Sequence, residues 1–415
     1  MSEHFDALET RSADARESAL MTRLSRQVAH ARATAPHFTT TFKDVDVASI
    51  ASRAALATLP LLRKNDLIEL QKLQRPFGGL CGIGGRPWGR LGRVFASPGP
   101  IYEPEGRGVD SWRTARALFA AGFRAGDLVH NSFSYHMTPG AWMLEAGAQA
   151  LGCTVFPAGV GQTEQQAQAM ADLQPDGYVG TPSFLRILLD KADELGFAIP
   201  SLKKALVSGE AFLPPVREAL AARGVQGYQV YATADVGTIA YESAARAGLI
   251  VDEDIIVEIV HPGTGAPVDE GEIGEVVVTT FNPDYPLIRF ATGDMSAVLP
   301  GVSPCGRTNL RIKGWLGRAD QTAKVRGMFV RPEQVQAVLK RHPEIRRARL
   351  VITNPDASDV MTLHCEGAAD GNLAQAVAAS LRDLTKLRGE VCFVESLSRD
   401  GKVIEDARNY GGSTE

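Results

Sequence analysis

The chain has 415 residues, 44% of them hydrophobic and 22% charged, with a formal net charge of −4. That length exceeds what one compact core sustains, so two or more domains are expected. The charge balance, with no long basic run, leaves no electrostatic footprint for nucleic acid. No stretch approaches the roughly 18 uninterrupted apolar residues of a membrane helix.

The opening MSEHFDALETRSADARESAL is polar and acidic, the opposite of a secretory signal. Cys81, Cys153, Cys305, Cys365 and Cys392 are scattered without any CxxC spacing, which predicts free thiols in a reducing cytoplasm. Residues 5–35 carry helical spacing through Leu20, Leu24, Val28 and Ala31. TLPLLRKNDLIEL reads as a loop feeding a helix with Asn65 at its N-cap. From about residue 110 strand-like and helix-like segments alternate: helix in SWRTARALFAAGF, strand in DLVHNSF, helix in PGAWMLEAGAQALG, strand in CTVFPAG. The alternation continues to PPVREALAARG, with short Gly, Pro and Asp punctuation, and predicts a mostly parallel sheet covered by helices.

Near 250 the texture changes. DIIVEIVHP and EIGEVVVTTFN alternate apolar and polar residues and predict antiparallel strands with one wet face. After GWLGRADQTAKVRG the remaining segments describe a small α+β domain. The fold class is therefore α/β, with a large N-terminal domain over 1–319, its mixed sheets flanked by helices, and a small C-terminal domain over 320–415.

In open α/β sheets ligands bind beyond the carboxyl ends of the strands. Three loops have that placement: SGEAF with Ser208, Gly209 and Glu210, YATADVG with Asp235, and TGDMS with Asp294. Each joins small residues to one carboxylate. A fourth stretch, FASPGPIYEPEG (95–106), offers Ser97 and Gly99 where a phosphate-cradling loop would stand.

YPLIRFATGD followed by GWLGRADQTAKVRGMFVRPEQVQAVL resembles the adenylate-forming superfamily, in its phenylacetate–coenzyme A ligase branch. GYVGTPSFLRILLDKADELG, PAGVGQTEQQAQAMADLQPD, LVSGEAF and the terminal RDGKVIEDAR resemble the corresponding stretches of that branch, in the same order. The resemblance implies activation of a carboxylate by ATP to an acyl-adenylate, and then a swing of the C-terminal lid domain. Thioester formation with coenzyme A follows. It implies Asp294 on the ribose hydroxyls, Arg318 on phosphate or ribose, Asp320 at the hinge and Lys402 at the α-phosphate and carboxylate oxygens. Asp235 takes the position of the branch's Mg²⁺-binding glutamate, one methylene shorter, and Tyr231 is positioned to stack on adenine. Phe133, Tyr135 and His136 of NSFSYHMTPG are placed to line a cavity for an aryl or other small carboxylic acid. A homodimer is implied as well.

Two departures accompany the resemblance. The branch's structural zinc ligands fall on Ser243, Ile250, Ser303 and Cys305, and one thiolate cannot complete a tetrahedral site, so no zinc is expected. The phosphate loop has lost its threonines and lysine, and Pro98 and Pro100 remove two amide donors. Glu103 and Glu105 would add repulsion if they faced a triphosphate, with Arg93 and Arg107 as candidate compensators. Two alternatives therefore stand beside the ligase: a nucleotide- or acyl-adenylate-binding protein with weakened catalysis, and an adenylyl transferase that does not use coenzyme A.

Overall fold

A computed structural model describes residues 3–83, 87–319, 321, 323–355, 358–368, 371–398 and 402–408. The chain divides into two compact units, one of Met1–Gly209 with Arg217–Leu316 and one of Glu210–Val216 with Gly317–Glu415. The division after Leu316 falls just before the 319/320 junction expected from the motifs.

Among the described residues the larger sheet of the first unit has nine strands. Their order is Val298–Leu299, Arg311–Ile312, Leu249–Val251, Gly237–Tyr241, Gln226–Thr233, Lys204–Val207, Gly177–Gly180, Leu128–Asn131 and Thr154–Pro157. Pairing is parallel from Thr154–Pro157 through Gln226–Thr233 and antiparallel from there on. The helices that connect the parallel strands form for local reasons. Pro182–Glu194 starts on Thr181, whose hydroxyl accepts from the Phe184 amide, with Pro182 in its first turn. Leu185, Leu188, Leu189 and Ala192 then fall on one buried face. Helices Thr114–Ala120 and Gly140–Ala150 approach so closely that a Cβ at Gly147 would lie 2.7 Å from the Ala115 nitrogen.

Helix Ala13–Thr34 buries Leu20, Leu24, Val28 and Ala31, the stripe that the spacing predicts. Between this helix and Asp66–Leu73 the sequence predicts only a loop, but Leu62–Arg63 forms a short strand. It pairs in parallel with Phe290–Ser296, Leu62 opposite Phe290 and Arg63 opposite Ala291. The second sheet continues with Gly274–Thr280 and Ile255–Val260, both antiparallel.

The expectation of a wet face on these two strands is not met: every residue of Ile255–Val260 and Gly274–Thr280 is buried. Their polar positions are matched inside the fold. Glu258 pairs with Arg289 at 3.1 Å and Glu275 with Arg63 at 3.0 Å. Arg289 also donates to the carbonyls of Ala57, Leu59 and Gly265. Alternation of polarity therefore marks paired charges here, not solvent.

The second unit carries a sheet in the order Glu390–Val394, Val360–Glu366, Arg347–Thr353, Ile404–Asp406, with helices Pro332–Arg341 and Gly371–Thr385. Its core gathers Val335, Val338, Leu350, Ile352, Leu363 and Leu381. Among the described residues, no helix in the chain is long and apolar enough to cross a membrane.

Arg289→Ala leaves the Glu258 charge buried and unmatched. It is expected to lower unfolding free energy in urea by about 3–5 kcal/mol.

Candidate active site

The stretch 95–106 is a β-hairpin. Arg93–Ser97 pairs with Ile101–Glu105, Ser97 opposite Ile101, around an exposed Pro98-Gly99-Pro100 turn. Strand pairing fixes where its acids point. Glu103 is fully buried and turns back on Ser97, accepting from the Ser97 hydroxyl and, at 3.3 Å, from its amide. Glu105 accepts from Trp112 Nε1 at 2.8 Å and pairs with Arg93 at 2.8 Å. Both carboxylates are thus committed inside the protein. Arg107 is exposed. The Ala96 amide donates to the Met137 carbonyl at 2.9 Å, tying the hairpin to the segment that holds the expected acid pocket.

Asp235 lies on the turn between Gln226–Thr233 and Gly237–Tyr241, where the sheet changes from parallel to antiparallel pairing. Its side chain has no exposed surface, and Oδ2 accepts from the Lys64 ammonium at 2.5 Å. Its other oxygen, Oδ1, is buried without a hydrogen-bond partner among the described residues. Lys64, which sequence reasoning missed, follows directly on the Leu62–Arg63 strand and keeps 24% of its side chain exposed. The signal for it was the RKND run, indistinguishable in sequence from a solvated turn.

A protein-held divalent cation does not fit beside this ammonium. Mg²⁺ demands octahedral oxygen ligands and usually keeps several waters, whereas Asp235 is enclosed and already neutralised. Among the described residues no group of three or more His, Cys, Asp or Glu side chains is arranged around a metal position.

Asp294, in strand Phe290–Ser296, is held by two aromatic donors. Tyr231 Oη donates to Oδ2 at 2.9 Å and Trp315 Nε1 to Oδ1 at 3.1 Å. The two donors fix the orientation of the Asp294 carboxylate. Trp315 is a second residue the sequence reasoning did not single out, although it lies within the quoted GWLGRAD. Ser208 donates to the Val230 carbonyl at 2.8 Å, and Gly209 turns with φ +86°.

In the expected pocket segment, Phe133 and Tyr135 are half-buried and His136 is exposed. The Tyr135 hydroxyl donates to Glu145 at 2.6 Å and accepts from Asn131 at 2.9 Å. Burial, with the Glu145 hydrogen bond and charge, pushes that phenol well above its usual range. Tyr135 therefore offers its ring, not an acidic hydroxyl.

At the four positions of the zinc pattern, Ile250 packs in the core and Ser303 lies 3.1 Å from the Cys305 sulfur. The N-terminal segment closes over this corner. Glu9 is buried, accepts from Tyr241 Oη at 2.8 Å and pairs with Arg307 at 3.1 Å, while His4 Nε2 meets the Cys305 carbonyl at 3.2 Å.

Glu210, Arg318 and Lys402 belong to the second unit. Glu210 is exposed and Arg318 half-buried. Lys402 has an exposed side chain, and its carbonyl accepts from Arg349 Nε at 3.2 Å, just ahead of strand Ile404–Asp406. Asp320 lies outside the described residues.

Burial, reinforced by the Asp235 charge, pushes the Glu103 carboxyl up to about 8. In the unfolded chain it titrates near ~4.3. The folded state therefore binds the extra proton between these values, and the stabilisation it supplies fades as pH rises from about 4.3 to 8. Urea unfolding at a series of pH values is expected to show this decline, and Glu103→Gln to flatten it.

The family profile described as AMP-binding enzyme matches residues 112–282. The phenylacetate-coenzyme A ligase of Aromatoleum evansii is 31% identical over 388 residues, covering 89% of this chain and 86% of that protein. The phenylacetate-coenzyme A ligase of Thermus thermophilus is 32% identical over 340 residues, covering 78% of this chain and 75% of that protein. Among solved structures, 2-hydroxyisobutyryl-CoA ligase in complex with 2-HIB-AMP and CoA superposes with a TM-score of 0.82 at 24% identity. That match covers 99% of this chain and 93% of the ligase, and it speaks for the fold. With the identity to the two phenylacetate-coenzyme A ligases extending over most of both proteins, the chain belongs to the phenylacetate–coenzyme A ligase family of AMP-binding enzymes.

Proposed function

We propose that the protein is an AMP-forming acid–thiol ligase that activates a small, aromatic carboxylic acid with ATP and passes the acyl group to coenzyme A. The observation that carries this reading is the Asp294 clasp. A carboxylate fixed in strand Phe290–Ser296 by Tyr231 and Trp315 suits the two hydroxyls of a ribose, because a carboxylate accepts more than one hydrogen bond. Membership of a family whose relatives are named for phenylacetate and coenzyme A supports the substrate class.

In the first step a carboxylate oxygen of the acid bonds to the α-phosphorus, and the bond to the bridging oxygen breaks, releasing pyrophosphate. In the second the thiol sulfur bonds to the acyl carbon and AMP leaves. The first transition state crowds negative charge and calls for cations, a role this reading gives to Lys402 and Arg318. The magnesium of ATP enters as the nucleotide's own counter-ion. The Phe133 and Tyr135 rings provide flat apolar surface for the acid. The second unit acts as the lid, turning at Asp320 between the two steps. A homodimer in a reducing cytoplasm completes the reading, in line with five free cysteines.

One observation favours a second reading, a nucleotide- or acyl-adenylate-binding protein with weakened catalysis: the two donors of Ser97 are spent on Glu103. Pyrophosphate release with a panel of carboxylic acids, with and without coenzyme A, separates these readings. The ligase is expected to release pyrophosphate with aryl acids and to yield a thioester when the thiol is added. Release without thioester in its presence points to an adenylyl transferase. No release, with AMP still bound, points to the binding protein.

Lys402→Ala is expected to slow acid-dependent pyrophosphate release by about 10²–10³-fold. Asp294→Ala is expected to raise the KM for ATP by roughly tenfold or more, as loss of charge-assisted hydrogen bonds to ribose does.

A further inference from the structure

Ser97 offers an amide and a hydroxyl at the mouth of a tight Gly-containing turn, and both meet the same carboxylate, Glu103. Donors converging in this way at a turn are the usual cradle of a phosphate oxygen. Here the acceptor comes from the opposite strand of the same hairpin. Asp235 repeats the arrangement with opposite sign. Where a carboxylate could meet a divalent cation, it meets the Lys64 ammonium at 2.5 Å. Burial and the Asp235 charge raise the Glu103 carboxyl while Lys64 opposes them, and burial and both carboxylates raise the Tyr285 phenol.

We propose that Glu103 and Lys64 are built-in stand-ins for a nucleotide's phosphate and metal. Glu103 is then a specificity-determining residue that closes the subsite for the β- and γ-phosphates. The site accepts an adenosine monophosphate moiety, free or as an acyl-adenylate, with the hairpin undisturbed. It accepts ATP only when the polyphosphate displaces Glu103 from Ser97. Affinity for ATP is thereby reduced selectively, because a triphosphate must break the two hydrogen bonds between Ser97 and Glu103 and approach Asp235, whose Oδ2 already holds Lys64. The inference rests on the adenylating reading for the identity of the nucleotide.

The test is calorimetric titration of the full chain with AMP and with MgATP, for wild type, Glu103→Ala and Glu103→Gln. Wild type is expected to bind AMP at least as tightly as ATP. Glu103→Ala frees the Ser97 donors and removes the carboxyl that occupies them, so ATP affinity should rise about tenfold while AMP affinity stays within about twofold. Glu103→Gln keeps the shape and a bond to Ser97, and should move the ATP-to-AMP ratio in the same direction by less. If the alanine variant does not fold, the glutamine variant carries the test. A ratio unchanged in a folded variant, or a fall in ATP affinity alone, overturns the proposal and leaves the adenylating reading standing. Absence of AMP binding in wild type overturns both.

Discussion

Two buried carboxylates, Glu103 and Asp235, and the Lys64 ammonium organise the site by their need to balance. Asp235 takes the Lys64 ammonium. Glu103, with no ion pair among the described residues, is pushed towards its protonated form by burial and the neighbouring charge, and fastens to Ser97. The balance depends on a backbone event far away in sequence. Lys64 reaches Asp235 because Leu62–Arg63 joins the strand Phe290–Ser296, with Arg63 opposite Ala291. The same strand carries Asp294, so one pairing sets both the cation at Asp235 and the carboxylate clasped by Tyr231 and Trp315.

Buried carboxylates matched by arginines recur through the first unit. Glu258 with Arg289, Glu275 with Arg63 and Glu9 with Arg307 lie at positions where an unmatched ion would cost several kcal/mol. Such pairs add little net stability over a well-packed apolar core, but removal of either partner is costly, and they tie together segments distant in sequence. At Cys305 the same device closes a corner. Glu9, Tyr241 and Arg307 form a hydrogen-bonded ionic cluster beside the Ser243, Ser303 and Cys305 positions that carry metal ligands in the resembling branch.

The placement of the site follows from the topology of the larger sheet. Four parallel pairings direct the ends of several strands to one edge, and the change to antiparallel pairing after Gln226–Thr233 puts the Asp235 turn at the point of change. A crevice at such a point is where open α/β sheets receive ligands. Ser208 follows strand Lys204–Val207, and Asp235 follows strand Gln226–Thr233, which carries Tyr231. The hairpin is tied to the 131–140 segment by the Ala96–Met137 backbone hydrogen bond.

Helices and strands with strong periodicity were legible from residues alone. The stripe Leu20, Leu24, Val28, Ala31 is buried as its spacing requires, and RARLVIT is the strand Arg347–Thr353. The motif order around Asp294 and GRAD was equally legible, because it is local and rich in side-chain chemistry. What the sequence could not determine was the direction of charges whose partners lie far away in the chain. It could not place Lys64 on Asp235, turn Glu103 inward onto Ser97, or show that Glu258 and Glu275 face arginines and not water. Periodicity reports how a residue's neighbours repeat along one element. The charge state and use of a buried side chain depend on which other elements fold against it, and only the tertiary structure decides that.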